Sequence, residues 1–421
     1  MNSAAPLVCL VTQGHLASTP RLLKEADALV GAGYRVHVVA GRFYPPVDPL
    51  DREILAAARW AHTLVDYRGG PAVFVRKLLR RAARKLVRQA PFANVALAAR
   101  AHHAESLHLG AVAARLPASL YLGHCLAALP AVVNAAKTRG VSCGFDGEDF
   151  HDTETKAALG EPASVAAARI LQMNLLRECE HLTAASPLIA REFEKSYGVK
   201  MTSVLNVFPR SEAPAAPVDP GPISAERPAR LYWFSQTIGP GRGLDAVVAA
   251  MARMRTPVEL HLRGMARPSY LTQLNDHAAK VGLARPIRYL PAGPAAEMAR
   301  FAASADLGLS AEEREPQNRD LCLTNKIFTY LLAGIPQLLS ATSAQTALAP
   351  ELGAAALLDD LTDPARTAQL LDGFFADPAR IATARRTAWE LARTRFCWDV
   401  EQEIFLASVR RLAPLPSSSP P

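Results

Sequence analysis

The chain has 421 residues, 50% of them hydrophobic, and a formal charge of +8. One core does not cover that length, so two domains are expected, and the positive sign suits phosphorylated small molecules, acidic lipid or nucleic acid as partners. Six cysteines (Cys9, Cys125, Cys143, Cys179, Cys322 and Cys397) show no CxxC spacing, which argues against zinc or a disulfide framework and for a reducing, cytoplasmic setting. No basic segment precedes the first apolar run, so no secretory signal is expected, and no stretch reads as a membrane-spanning helix.

In chain order, Leu7 to Thr12 fits a buried parallel strand. Gly14 and Ser18-Thr19-Pro20 form a loop. A helix follows with Leu22, Leu23, Ala26, Leu29 and Val30 on one face, broken by Gly31 and Gly33. Tyr34 to Ala40 is a second strand. Strand, helix, strand within forty residues implies a parallel sheet. Gly14 stands alone, so the dinucleotide fingerprint is absent.

From Tyr67 to Ala104 the sequence holds nine arginines and lysines and no acid. Val75, Leu78, Leu79, Ala82, Ala83, Leu86 and Val87 recur at helical spacing, and Arg76, Lys77, Arg80, Arg81, Arg84, Lys85 and Arg88 fill the other face. Pro91 ends the pattern. This is a basic amphipathic helix of the kind that lies on membranes. Each cation near an anionic leaflet contributes about 1 kcal/mol, so the stretch Val75 to Arg88 is a candidate contact for an anionic membrane surface. The same pattern also fits a core-packed helix with a solvated basic face. No nucleic acid is expected, because aromatics do not interleave the cations.

Ser119 to His124 reads as a strand with His124 at its carboxyl end, where open α/β sheets place ligands. A capped structural histidine is the alternative. Val141 to Asp152 is the densest polar cluster and contains Asp146, Glu148 and Asp149. Such loop carboxylates often serve as caps, and no metal is expected. A helix spans Ala163 to Cys179, Leu182 to Ala185 is a strand, and Ser186-Pro187 opens a helix running to Tyr197. Ser203 to Val207 is the last strand of this half.

A proline-rich linker follows, residues 210–229. The pattern then restarts with a strand from Arg230 to Ser235 and the loop Gln236-Thr237-Ile238-Gly239-Pro240-Gly241-Arg242-Gly243. Three glycines let backbone N–H groups approach an anion, and Arg242 offers a bidentate fork for phosphate. The spacing is not Walker A. Val258 to Arg263 is the next strand, ending at Gly264. After the strand Ala305 to Ser310 and the polar segment Glu312 to Asp320 comes a helix. Ile327, Phe328, Leu331 and Leu332 form its buried stripe, and Gly334 and Pro336 end it. Thr324 and Asn325 are good N-cap types. Lys326 opposes the helix dipole, so beside free N–H groups it reads as part of an anion cradle, or else as a solvated lysine. Trp389, Phe396 and Trp398 precede a final helix from Asp399 to Leu412, and a Pro/Ser-rich tail, residues 413–421, is expected to be disordered.

The run Asn-Lys-Ile-Phe-Thr-Tyr-Leu-Leu-Ala-Gly-Ile-Pro from Asn325 to Pro336 resembles the donor-site helix of the GT-B glycosyltransferases, particularly the retaining family 4. The Gly239-to-Gly243 loop is similar to that family's Gly-x-x-Arg/Lys-Gly loop. Ser18, Pro20 and Arg21, the strand ending at His124, and the loop from Phe145 to Asp149 resemble its first domain. The resemblance covers residues 5–412. It implies an α/β GT-B fold of two Rossmann-like domains with parallel sheets facing across a cleft: an acceptor domain at 1–209, a donor domain at 230–397, and a helix at 398–412 crossing back.

The same resemblance implies a nucleoside-diphosphate sugar as donor and a glycan, lipid-linked or small-molecule acceptor, with no cofactor or metal. Donor contacts fall on Gly239, Gly241, Arg242, Gly243, Arg263, Gly264, Glu315, Thr324, Asn325, Lys326 and Thr329. Acceptor contacts fall on Gly14, Ser18, Arg21, His124, Asp146, Glu148 and Asp149. Arg242 and Lys326 would stabilise charge on the departing phosphate. His124 is a third catalytic candidate, although in retaining members the phosphate itself is thought to take the acceptor proton. One departure stands out. The family's paired glutamates, eight apart, fall here on Leu321 and Thr329, so Glu315 is expected to hold the ribose. A GT-B nucleotide-sugar epimerase, a phosphorylase-like activity, and a non-catalytic membrane-associated scaffold are the alternatives.

Overall fold

The structure, a computed structural model, describes residues 5–89, 94–151 and 162–416. Pro91, Asp152 and the end of the tail lie outside the described residues. Internal contacts divide the chain into two units, residues 1–204 with 402–421, and residues 205–401.

The first unit holds seven parallel strands: β1 (Leu7–Thr12), β2 (Arg35–Arg42), β3 (Ala61–Asp66), β4 (Leu120–His124), β5 (Ser142–Gly147), β6 (His181–Ala184) and β7 (Thr202–Ser203). Their order is β3-β2-β1-β4-β5-β6-β7. Every residue of β1 and β4 is buried, as expected where helices cover both faces. The order reverses between β1 and β4, whose carboxyl ends are Thr12 and His124. The helix Pro20–Gly31 starts on a proline and buries Leu22, Ala26 and Leu29. Proline there has its φ already set for the first turn and lacks only an N–H that would go unpaired.

The second unit holds β8 (Ala229–Ile238), β9 (Val258–Ala266), β10 (Arg288–Leu290), β11 (Leu307–Ser310), β12 (Gln337–Ser340) and β13 (Ala356–Asp359). They are parallel in the order β10-β9-β8-β11-β12-β13. Trp233, Leu262, Leu309, Leu338 and Phe374 lie in one buried cluster. Here the reversal falls between β8 and β11. The helix Asn325–Leu332 is seated at that junction by Tyr330, whose hydroxyl donates to the carbonyls of Tyr232 on β8 and Leu309 on β11, 3.1 Å from each. Gly308 makes room for it, since a Cβ there would lie 2.4 Å from the Tyr330 ring.

The last helix, Trp398–Leu412, starts among residues of the second unit and belongs to the first from Gln402 onward. In the first unit its Phe405 ring meets His181 edge-on, 5.5 Å between centroids.

The basic helix forms over Pro71–Gln89, and its packed side is not the whole apolar stripe that the core-packed alternative would bury. Only Val73, Ala83 and Val87 among its large or small apolar residues are buried. Arg76 turns inward to the buried Glu105 at 2.5 Å, and Arg80 and Arg84 reach the Ala101 carbonyl and the Ser164 hydroxyl, each at 3.4 Å. Val75, Leu78, Leu79 and Leu86, on the same apolar periodicity as Ala83 and Val87, are exposed. Arginine stems are long enough to pack against a core while a paired head satisfies its charge, so the cationic side can turn inward.

Candidate functional site

In an open α/β sheet the crevice at the reversal of strand order is where ligands sit. In the second unit that crevice lies past β8 and β11. The loop after β8 turns through Gly241 (φ 75°) and Gly243 (φ 65°). A Cβ on Gly243 would press within 3.1 Å of Ala311, so glycine is needed both for φ and for the close approach. This turn delivers Arg242 beside Glu312, two residues past β11, with Arg242 Nη1 3.1 Å from Glu312 Oε2. Lys326, in the first turn of the Asn325–Leu332 helix, places Nζ 2.7 Å from Glu312 Oε1 and 5.4 Å from the Trp233 ring centroid.

Glu312 is thus a buried carboxylate held between two cations, one from a loop and one from a helix start. Burial pushes its carboxyl up, but Lys326 and Arg242 outweigh that and hold it below the usual carboxylate range. Its backbone N–H donates to Ser340 Oγ at 2.8 Å, which fixes it over β12 as well. Arg319 joins from the helix Gln317–Leu321 and donates to the Gly241 carbonyl. Burial, and next the neighbouring Arg242, hold the Arg319 guanidinium below its usual range. The cluster therefore carries surplus positive charge at a strand-order reversal, the arrangement that suits a polyanion.

Other donor candidates are placed as follows. Thr324 Oγ1 lies 3.3 Å from Ser310 Oγ, and Thr324 and Asn325 are half-buried at the helix start. Gly264 has φ 149°, and a Cβ there would strike the Ser235 carbonyl at 2.2 Å. Gly239 is buried beside Arg267. Arg263 is committed elsewhere: it donates to the Tyr232 hydroxyl and the Pro291 carbonyl, at 3.0 and 2.7 Å, and stacks on Phe301. Thr329 is 1% exposed, and its hydroxyl has no hydrogen-bond partner among the described residues. Glu315 is exposed in the loop before the helix Gln317–Leu321.

In the first unit, three acceptor candidates meet in one buried network. Arg21 donates to both oxygens of Asp146, at 2.7 and 2.9 Å, and to the Val204 carbonyl at 2.7 Å. Thr183 donates to Asp146 at 2.6 Å. His124 Nε2 lies 3.0 Å from Glu25 and its Nδ1 3.5 Å from Asp146. Burial opposes the charged ring, but Glu25 and Asp146 outweigh it and push His124 up to about 10. With a carboxylate beside each ring nitrogen, the charged ring is favoured, which suits a structural group better than a base. The residue after it, Cys125, holds φ 65°, a left-handed backbone that non-glycine residues adopt at a cost on the order of 1 kcal/mol or more.

Gly14 and Ser18 sit in the loop after β1, where Ser18 is exposed and donates to the His15 carbonyl at 2.8 Å. Glu148 and Asp149 follow β5 and are half-buried. Burial first, then Asp149 and Asp146, push Glu148 up to about 7.

Three residues of these networks were not singled out from the sequence. Glu312 sat in a segment read only as polar, and its one sequence signal was an acid two residues past a strand end. Glu25 sits four residues after Arg21, the helical spacing of an ion pair. His15 is buried with Nδ1 2.6 Å from Asp51, and its Nε2 accepts the backbone N–H groups of Phe43 and Tyr44 at 3.0 and 2.8 Å. Two groups have metal-like composition among the described residues: His15 with Asp48 and Asp51, and Glu25 with His124 and Asp146. The free lone pair of His15 is taken by two N–H donors, Asp48 is held by Arg42, and Arg21 occupies Asp146. Neither group presents the open, anionic ligand set that a cation needs.

No protein-family model and no curated protein sequence matches the chain. Solved structures do. Anabaena HepE in complex with UDP and glucose aligns with a TM-score of 0.70 at 15% identity, covering 97% of this chain and 100% of that one. The chain has the GT-B fold. Sucrose-phosphate synthase from Thermosynechococcus elongatus aligns at 0.69 and 14% identity over 97% and 99% of the two chains. WaaG, a glycosyltransferase of lipopolysaccharide biosynthesis, aligns at 0.63 and 12% over 97% and 100%.

Proposed function

We propose that this GT-B chain transfers a sugar from a nucleoside-diphosphate sugar to an acceptor, without a metal and with retention of configuration. The observation that carries this is the convergence of Arg242 and Lys326 on one buried carboxylate at the strand-order reversal of the second unit. HepE, with a similar fold, was solved with UDP-glucose. Breaking the bond between the sugar carbon and the distal phosphate oxygen leaves the electron pair on that oxygen. Arg242 and Lys326 stabilise that charge from fixed positions, which is where electrostatic catalysis is strongest. The acceptor oxygen bonds the sugar carbon as its proton passes to the departing phosphate, so no protein base is required, consistent with a protonated His124. Glu315, Thr324 and Asn325 line the same loop-to-helix segment and are the nearest candidates for ribose and sugar hydroxyls.

The acceptor in this reading is a glycan or a lipid-linked molecule, met on the Gly14, Ser18, Glu148 and Asp149 side of the first unit. The protein works in the cytoplasm, peripheral to an anionic membrane face through the helix spanning Val75 to Arg88. No helix among the described residues is long and apolar enough to cross a membrane.

Calorimetry with a panel of UDP-, GDP- and dTDP-sugars, repeated on Arg242→Ala, tests the donor assignment. Heat with one nucleotide class, abolished by the substitution, supports it. No heat with any member overturns it in favour of a non-catalytic scaffold. Donor turnover to an epimer, without transfer, moves it to the epimerase alternative.

A further inference from the structure

The helix Pro71–Gln89 presents three lengthwise strips. One packs inward through Val73, Ala83 and Val87, with Arg76, Arg80 and Arg84 engaged on that side. At about 100° per residue, Lys77, Arg81, Lys85 and Arg88 then form a second strip, all exposed. Val75, Leu78, Leu79 and Leu86 form a third beside it, while Phe74 lies among the cations of the second. These five apolar side chains are between 44% and 62% exposed.

A solvated helix has no reason to expose four large apolar residues along one strip and a fifth beside it, because surface patches of that kind mark contact sites. The strip next to it is purely cationic, and no acid lies between Tyr67 and Ala104 to neutralise it. We infer that this exposed double strip is a bilayer-seating surface: Phe74, Val75, Leu78, Leu79 and Leu86 enter the acyl boundary of an anionic leaflet while Lys77, Arg81, Lys85 and Arg88 meet its phosphates. Charge complementarity selects an anionic surface, and the apolar strip selects a bilayer over a nucleic acid, whose backbone offers nothing for leucines to enter. The inference names the residues behind the peripheral attachment in the proposed function. It rests on this helix alone, so it stands or falls independently of donor chemistry.

The test is co-sedimentation of the full chain with vesicles of phosphatidylcholine alone and of phosphatidylcholine with phosphatidylglycerol at three to one. Expected is binding to the anionic vesicles only, weakening as salt rises. Leu78→Ser/Leu79→Ser/Leu86→Ser and Lys77→Glu/Arg81→Glu/Lys85→Glu/Arg88→Glu should each reduce it, the second by on the order of a thousandfold or more at about fivefold for each of the four lost cations. All these positions are exposed, and thermal melts that match wild type show that the variants fold. Equal binding to both vesicle types overturns the inference. So does binding that the serine variant leaves intact, with duplex DNA competing, which marks a nucleic-acid surface. Self-association lost in the serine variant, with no vesicle binding, marks an interface between copies and also overturns it. UDP-sugar calorimetry on the same preparations separates the two readings, since loss of vesicle binding with donor heat intact removes only this surface.

Discussion

The Lys326 ammonium lies 2.7 Å from a Glu312 carboxylate oxygen, and the Glu312 side chain is 1% exposed. An anionic ligand entering beside Lys326 therefore competes with a built-in anion. In the unliganded protein that carboxylate keeps Lys326 and Arg242 from repelling each other. The cations are ordered before a ligand arrives, at the cost of some of its affinity.

Replacing Glu312 with Gln should expose this trade. Breaking a fully buried pair costs about 3–5 kcal/mol, and the cost here should fall below that because Arg242 is 30% exposed. The variant should melt lower than wild type, yet gain more stability from inorganic pyrophosphate. Thermal melts with and without pyrophosphate read both effects. An equal pyrophosphate shift in the two proteins would separate Glu312 from the anion site.

Arg242→Ala and Lys326→Ala should each weaken nucleoside-diphosphate binding by one to two orders of magnitude, from the roughly 1.5–3 kcal/mol of a charge-assisted hydrogen bond. Their stabilities should differ. Lys326 is nearly buried against Glu312, so its loss strands a buried carboxylate, whereas the more exposed Arg242 leaves Lys326 in place. Calorimetric titration paired with urea melts checks this. Wild-type donor affinity in either variant would remove that residue from the site.

Much of this site was legible in the sequence because its parts announce themselves locally. Glycines before Arg242 and a lysine in a first helical turn each have a backbone reason to face an anion. Glu312 has none. Its role depends on β11 lying next to β8, a pairing between strands some seventy residues apart that local patterns do not record. The basic helix shows a second limit. Its periodicity marks a helix at once, but the side that packs also carries Arg76 paired with the buried Glu105, a partner that local patterns do not record. Likewise His124 at a strand end left both a ligand contact and a structural group open, and Glu25 and Asp146, which lie beside its ring, come from elements that local patterns do not pair with it.

His124 should give the first unit an alkaline limit. Its folded pKa, pushed up to about 10, lies above the usual value near 6.5 for an unfolded chain. A raised basic group stabilises the fold fully below the unfolded value and loses that contribution as pH climbs through the folded one. Wild-type stability should therefore decline between roughly pH 7 and pH 10, and His124→Gln should be less stable at pH 6 and flatter across that window. Asp146 acts in the opposite sense. Arg21 and His124 hold it below the usual range, so its contribution is present above about pH 4 and lost as acid protonates it. Urea melts across pH compare the two proteins, and parallel profiles from pH 7 to 10 would mean that His124 is not charged in the fold.

Thr329 offers the sharpest test at the position where the resemblance implies a glutamate. Its position in the motif points toward ribose, but its side chain is 1% exposed and its hydroxyl has no partner among the described residues. An unpaired buried hydroxyl costs about 1–3 kcal/mol, whereas an apolar group of the same shape avoids that cost. Thr329→Val should therefore be neutral or stabilising and leave donor affinity unchanged. Thr329→Glu brings a carboxylate into the same buried helix face and should lower the melting temperature, unless the new acid reaches Lys326 and replaces part of what Glu312 supplies. Combining Thr329→Glu with Glu312→Gln separates these outcomes, because the double variant recovers stability only if the new carboxylate takes up the lysine. Loss of donor binding in Thr329→Val, with stability intact, would return the hydroxyl to the ribose contact that its place in the sequence first implied.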